Sequence, residues 1–229
     1  MSMDDVCVIV PMLNESTTIA SVVEELRRTF PNVLCIDDGS TDASADIATA
    51  AGARVLRHAT NLGQGAALQT GFDYVAQTPG FNWVVTFDAD GQHLVSDAEA
   101  MVSEGRAKDL DVVLASRFTG ATVDMPRARR LVLQGAIRFT RWTAGLEVTD
   151  AHNGLRVINT RALGRLRLRQ PRMAYASELL NQIGAARMRW SEVPTTVLYS
   201  DYSRGKGQQN INAVNILFDL VMARVRTSS

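Results

Sequence analysis

The sequence predicts an α/β fold with a mostly parallel central sheet and helices on both faces. Short β-branched apolar runs alternate with helix-period patterns through the first half, the rhythm of βαβ units and of strands buried on both faces. Four of these runs in succession end in polar, mostly acidic clusters, the place where open α/β sheets bind ligands. Composition agrees with a folded globular chain: 229 residues, 46% apolar and 21% charged, with 16 Gly and 6 Pro, are enough for a sizeable core and unlike a disordered or fibrous protein.

Element by element, Val6–Val10 reads as the first strand, ending at Pro11. Ser16 is placed to cap a helix running to about Thr29, with Ile19, Val22, Val23 and Leu26 on one face. Strands are expected at 33–36, 54–57, 83–87 and 112–115, and helices at about 42–51, 65–77 and 97–107. Beyond Arg117 the rhythm changes to a helix at about 129–144, a short strand near 155–158, a helix at 174–186 and a strand at 190–199. This half is expected to dress the sheet rather than extend it. With no repeat, low-complexity tract or linker, residues 1–229 read as one domain: 1–116 the ligand-binding half, 117–210 a second half, and 211–226 a C-terminal amphipathic helix. In that helix Asn212, Asn215 and Asp219 recur at helical spacing and leave a broad apolar face, which suits the core, a membrane surface, a small membrane-protein partner or a second copy of the chain.

The formal charge of zero hides an asymmetry. Residues 1–116 carry 6 basic and 17 acidic side chains, 117–172 carry 12 and 3, and 173–229 carry 6 and 4. All 12 cations of the middle block are arginines, whose planar fork suits phosphate and carboxylate. Few aromatics interleave, so nucleic acid is not the expected partner, while anionic lipid and phosphorylated substrates are. Cys7 and Cys35 lie inside apolar runs and read as small buried residues, not a disulfide or a zinc site. No apolar stretch approaches the roughly 18 residues of a membrane span and the N-terminus is acidic, so a cytoplasmic chain is expected.

The acidic strand ends carry the chemistry. They are Pro11-Met12-Leu13-Asn14-Glu15, Asp37-Asp38-Gly39-Ser40-Thr41-Asp42, Asn61-Leu62-Gly63-Gln64-Gly65 and Asp88-Ala89-Asp90-Gly91-Gln92-His93. Ser40 or Asp42 taken alone suits a helix cap, and Asp37-Asp38-Gly39 a turn. Together the carboxylates would repel one another unless a cation or a donor-rich ligand sat among them. Asp88 and Asp90, alternating as a strand leaves the sheet, suit a hard divalent cation that keeps positions open for phosphate oxygens. Asp90 and the amide oxygen of Gln92 are the candidate metal ligands, with Asp88 facing a nucleotide sugar or a metal-bound water. His93 is assigned a structural or substrate-contacting role. Gly63-Gln64-Gly65 lacks the third glycine of a dinucleotide fingerprint, and no phosphate-binding loop of the GxxxxGK[ST] type is present.

In this order and spacing, the four motifs resemble family 2 glycosyltransferases of the GT-A fold, the Rossmann-like fold of nucleotide-diphospho-sugar transferases. The likeness continues through Ser116-Arg117, Arg129-Arg130, Asp150-Ala151-His152-Asn153-Gly154-Leu155-Arg156, Ser177-Glu178 and Glu192-Val193-Pro194, where it is to the polyprenyl-phosphate sugar transferases. The resemblance implies a UDP- or GDP-linked sugar donor, Mg2+ or Mn2+, and a lipid phosphate acceptor. It gives Pro11, Leu13, Glu15, Ile36 and Asp38 to base and ribose, Asp88 to the nucleotide sugar, and Asp90 with Gln92 to the metal. Gln64 lies in the same donor-binding set, where relatives usually carry Lys or Arg. Arg117 meets the diphosphate, Arg130 the acceptor phosphate, and Arg204 with Lys206 a closing loop over the nucleotide. Leu13 stands where an aromatic residue is common. The hydrophobic tail of membrane-anchored relatives has no counterpart in these residues, so a peripheral place at the cytoplasmic face is expected through the C-terminal helix, the arginine block or a partner.

Transfer from such a donor needs charge stabilised on the departing diphosphate. A hydroxyl acceptor also needs a general base, which an already anionic phosphate does not. Asp88, Asp90, Arg117 and Asp150 are the candidate catalytic residues; Asp150, which has no neighbouring acidic pair, equally suits a structural role holding Arg156 or a turn. Inverting transfer to a polyprenyl phosphate is therefore expected, with transfer to a glycan hydroxyl in cell-envelope polysaccharide synthesis as the rival. Two further alternatives are a haloacid-dehalogenase-type phosphatase, since Phe87-Asp88-Ala89-Asp90-Gly91 resembles its nucleophile motif, and a sugar-nucleotide-binding module without turnover.

Overall fold

The computed structural model describes residues 2–117, 146–151, 153–170 and 174–198. Their strands are β1 (Val6–Met12), β2 (Asn32–Asp37), β3 (Arg54–Arg57), β4 (Trp83–Thr86), β5 (Val112–Ser116), β6 (Arg156–Asn159) and β7 (Trp190–Pro194). Between and after them run α1 (Ile19–Arg27), α2 (Ser44–Ala50), α3 (Gln64–Gln77), α4 (Val95–Ala107), α5 (Thr160–Leu163) and α6 (Ala174–Ala185). The strands form one sheet in the order β3-β2-β1-β4-β6-β5-β7. All pairings are parallel except those of β6, which is antiparallel to both its neighbours. The expected α/β class, with its mostly parallel sheet between helices, is the one observed.

Two apolar layers cover the sheet, and strand alternation sorts residues between them. Val6, Val8, Val10 and Met12 of β1 face the layer that holds α1, α2 and α4, with Ile19, Leu26 and Met101. Cys7 and Ile9 face the other layer, with Phe72 of α3, Leu163 of α5 and Leu179 of α6. Cys7 and Cys35 thus sit on opposite faces as free, buried thiols, and burial pushes both up to about 12.

Several boundaries differ from expectation for local reasons. β1 does not stop at Pro11 but runs through it to Met12, paired with Asp37. Met12 O accepts from Asp38 N on the β2 side and Ile9 O from Phe87 N on the β4 side. Alternate residues therefore face alternate neighbours, and the missing N–H of Pro11 falls on the β4 side, where pairing has already ended at Ile9 and Thr86. Ser16 does not cap α1: the helix starts at Ile19 after Thr18, and Ser16 N–H donates to Asp42 Oδ2 at 3.2 Å. The short helix α5, unforeseen, begins where Asn159 Oδ1 accepts from Arg161 N at 3.1 Å.

The main correction concerns the second half, which extends the sheet instead of dressing it. β6 inserts antiparallel between β4 and β5, and β7 adds parallel outside β5. Val157 and Ile158 of β6 go to opposite apolar layers, as a central strand requires, so this short segment closes a gap that β4 and β5 cannot close with each other. β7 ends at Pro194, earlier than expected, and the chain then makes an isolated antiparallel bridge between Val197 and His93. The expected helices at 129–144 and 211–226 lie outside the described residues.

The close approach of α3 to β1 depends on Gly71, where a Cβ would lie 2.6 Å from Ile9 Cγ2. Gly71→Ala gains about 1 kcal/mol of helix propensity but overpacks a filled core at about 1–3 kcal/mol. A net loss of about 1 kcal/mol is expected in denaturant unfolding. Adding Ile9→Ala should make the two effects non-additive.

Candidate functional site

Strand order reverses at β1, with β2 on one side and β4 on the other, so a crevice opens beyond the carboxyl ends of these strands. The four polar strand ends do meet there, but most of their carboxylates are already committed. Asn14, with φ of 54°, turns the chain after β1; its N–H donates to Ser40 Oγ at 2.9 Å, and its Oδ1 accepts from Thr41 N at 2.9 Å. Glu15 N–H donates to Ser44 Oγ at 2.7 Å. Asp42 accepts from Ser44 N, Ser44 Oγ and Ser16 N; these bonds outweigh its desolvation and hold it down at about 2. Asp37, fully buried, accepts from Ser40 N and pairs with Arg57 Nε at 3.0 Å. Ser40, Asp37 and Asp42 thus knit the first two loops together.

Asp38 organises the third loop. Its Oδ1 accepts from Leu62 N at 2.9 Å and its Oδ2 from Gly63 N at 2.7 Å. His58 Nδ1 lies 2.7 Å from Oδ1, and His58 Nε2 lies 2.9 Å from Thr70 Oγ1. Of the residues assigned to base and ribose, Leu13 is exposed and Glu15 half-buried, whereas Asp38, Pro11 and Ile36 are buried and Pro11 pairs with Ile36 across β1 and β2. His58 was not anticipated; its place at the end of β3, just ahead of the Asn61 loop, is the signal that marks it.

Asp88 and Asp90 leave β4 with Phe87 and Ala89 buried between and behind them, so the two carboxylates share the crevice side. Asp88 is 29% exposed; its Oδ1 accepts from Gln64 Nε2 at 3.2 Å and its Oδ2 lies 3.0 Å from His93 Nε2. Gly154 makes room for it, because a Cβ there would overlap the carboxylate. Burial pulls Asp88 upward, but His93 and the positive fields of Arg156 and Arg117 prevail and hold it below the usual carboxylate range. Asp90 goes the other way. Burial and then the neighbouring Asp88 charge raise it, with Glu15 adding to the rise, against a 3.1 Å hydrogen bond from Gln92 N. Among the described residues no three His, Cys, Asp or Glu side chains cluster closely enough to hold a metal by themselves. His93 is buried, packs edge-on to Phe87 at 5.5 Å and meets Asp88 Oδ2 through its Nε2.

Arg117 and Asp150 form one unit. Arg117 Nε and Nη2 donate to the two Asp150 oxygens at 2.6 and 2.8 Å, and Arg117 N donates to Oδ2 at 3.1 Å. The partner of Asp150 is therefore Arg117, not Arg156. Glu192 of β7 fixes the loop from below, accepting from Thr149 N at 2.7 Å and Asp150 N at 3.2 Å, while Thr86 Oγ1 donates to Gly154 O at 2.7 Å. After β7, Leu198 N–H donates to Gln92 O at 2.9 Å and Thr196 N–H to Asp97 Oδ2 at 2.8 Å, so this segment lies along the Asp90–His93 loop. Arg130, Arg204 and Lys206 lie outside the described residues.

The family model described as Glycosyl transferase family 2 matches residues 7–167. UDP-N-acetylglucosamine–dolichyl-phosphate N-acetylglucosaminyltransferase of Methanococcus voltae is 28% identical over 239 residues, covering 95% of each chain. Undecaprenyl-phosphate mannosyltransferase of Micrococcus luteus is 31% identical over 160 residues, covering 66% of this chain and 65% of its own. Glucosyl-3-phosphoglycerate synthase from Mycobacterium tuberculosis, crystallised with Mg2+ and UDP, superposes with a TM-score of 0.67 at 19% identity over 86% of this chain and 72% of its own. Another crystal structure of that enzyme holds Mn2+, UDP-glucose and phosphoglyceric acid, with a TM-score of 0.63 at 20% identity over 95% of this chain and 80% of its own. The fold is thus GT-A, and a dehalogenase-type phosphatase is set aside. With a family match across most of its length and its four polar strand ends gathered at one crevice, the chain belongs to glycosyl transferase family 2 and is a glycosyltransferase.

Proposed function

We propose that the enzyme transfers a hexose or N-acetylhexosamine from a nucleotide diphosphate sugar to a polyprenyl phosphate, with inversion at the anomeric carbon. The observation that carries this reading is the Asp88 and Asp90 pair at the strand-order reversal, with Asp90 raised by burial beside other carboxylates. Such a pair is relieved by a cation and an anionic ligand held together. Mg2+ or Mn2+ fits these donors, with Asp90 and the Gln92 amide oxygen holding it and phosphate oxygens filling the open positions. When bound, the ion supplies Lewis-acid stabilisation of the departing diphosphate.

The remaining roles fall to side chains. Asp88, held by Gln64 and His93, faces the donor sugar. Leu13, Glu15, Pro11, Ile36 and Asp38 form the base and ribose side, the last by shaping the Leu62–Gly63 turn. A UDP-linked donor is favoured over a GDP-linked one, in line with the relative and the fold neighbour whose names carry UDP. Arg117, with Arg204 and Lys206, meets the diphosphate, and Arg130 the acceptor phosphate. Asp150 belongs to the machinery through Arg117. A carboxylate accepting three hydrogen bonds from an arginine is a poor general base, which disfavours a hydroxyl acceptor and suits a phosphate already charged at neutral pH. The Methanococcus and Micrococcus relatives are named for dolichyl and undecaprenyl phosphate acceptors, which supports the same choice.

No helix among the described residues is long and apolar enough to cross a membrane. On this reading the chain works at the cytoplasmic membrane face, reaching it through the amphipathic pattern of residues 211–226, the arginine block or a separate partner.

The test is a donor panel with Mg2+ or Mn2+ and a short polyprenyl phosphate present or absent, following nucleotide diphosphate and lipid product. Lipid-dependent release with one donor is expected. Release that ignores lipid phosphate but requires an oligosaccharide overturns the acceptor assignment. Asp90→Asn should keep the fold by circular dichroism and lose turnover by well over the ~10–100-fold that an outer contact costs. Metal-restored, near-normal activity in that variant would put the metal elsewhere.

A further inference from the structure

One buried charge is unused by the proposed reaction. Arg156 opens β6, in register with Thr86 of β4 and Leu114 of β5, and is 2% exposed. Its guanidinium lies 5.4 Å over the Tyr175 ring, and its Nη1 has no hydrogen-bond partner among the described residues. It takes part in none of the ion pairs found there. The neighbours of this position ask for an apolar residue: Val157 and Ile158 follow in the core, and Tyr175 belongs to the same apolar layer as Ile158. A buried cation without a contacting anion costs stability. Among the described residues the structural contacts of the arginine are confined to Tyr175, whose ring face and hydroxyl it meets.

The carboxylate on the same face of the sheet is Asp88: Arg156 lies opposite Thr86, Gly154 two residues before it abuts the Asp88 carboxylate, and Gln64 grips Oδ1 and His93 Oδ2. Both grips come from the crevice side, from α3 and from the loop after β4. Arg156 and the bare Cα of Gly154 belong instead to the β6 side, so they back the carboxylate where those donors do not. We infer that Arg156 is a positioning residue for the transfer reaction: a fixed internal cation that holds the Asp88 carboxylate toward the donor sugar, steadied by the face of Tyr175. This rests on the reading of Asp88 as the donor-facing carboxylate.

The experiment compares Arg156→Met, Asp88→Asn and the double variant in the full chain. Readouts are melting temperature, kcat, and the Kd for UDP-N-acetylglucosamine with Mn2+ by calorimetry. Arg156→Met is expected to melt within about 3 °C of the wild type or higher, to lose about 10–100-fold in kcat or donor affinity, and to add little to Asp88→Asn. Unchanged kcat and Kd in Arg156→Met overturn the inference, and so do losses that multiply in full with those of Asp88→Asn. If Arg156→Met melts far lower, Arg156→Lys against Arg156→Gln decides: greater activity with lysine supports a positioning charge, and equal activities overturn it. An Asp88→Asn variant with normal donor binding and turnover would defeat the reading of Asp88 itself, a result distinct from a defective Asp88→Asn beside an unaffected Arg156→Met.

Discussion

The carboxyl end of the sheet is arranged around one demand: a mostly buried Asp88 carboxylate must have its oxygens met by groups that cannot drift away. Each answer comes from a different part of the chain. The first residue of α3 supplies an amide, the loop after β4 returns an imidazole, and the turn before β6 contributes a glycine with no Cβ to interfere. That last contribution explains the sheet order. Gly154 reaches Asp88 because β6 lies directly beside β4, held in register by Thr86 opposite Arg156 and tied by the Thr86 hydroxyl to the Gly154 carbonyl. An antiparallel strand inserted into a parallel sheet brings the second half of the chain to the chemistry of the first.

Acidic residues that look alike in the sequence have divided into unlike roles. Asp37, Asp38, Asp42 and Asp150 spend their oxygens on backbone amides, an imidazole or an arginine, and so shape loops. Asp109 and Asp111, away from the crevice, clamp Arg161 and Arg189 in an exposed network of the kind that adds little energy in water. Asp90 differs from them in being raised, by burial first and then by the neighbouring Asp88 charge.

How much of this was legible follows from what is local. The βαβ rhythm, the interior of each long helix among the described residues and the four polar strand ends could be read directly, since each depends on the period of neighbouring residues. The place of β6 could not. Four residues with an arginine at their head show neither alternation nor length, and their neighbours in the sheet are set by strands about 40 and 70 residues away. The partner of Asp150 was likewise out of reach, because Arg156 is near in sequence while Arg117, 33 residues back, is near in space. Pro11 seemed to end β1 because its lost donor matters only if a neighbour needs it, and that neighbour had already stopped. One signal went unused: an arginine at the head of a run that is otherwise core, which is where Arg156 stands.

The bridge of Val197 to His93 and the bond from Leu198 to Gln92 give the following chain a fixed point of attachment at the lip of the crevice. From Leu198 to Arg204 and Lys206 the chain can extend at most roughly 22 and 29 Å, at up to about 3.6 Å per residue. On the proposed function, engagement of these two cations with a diphosphate would be an intramolecular event, bounded by the anchor at Leu198 rather than by diffusion.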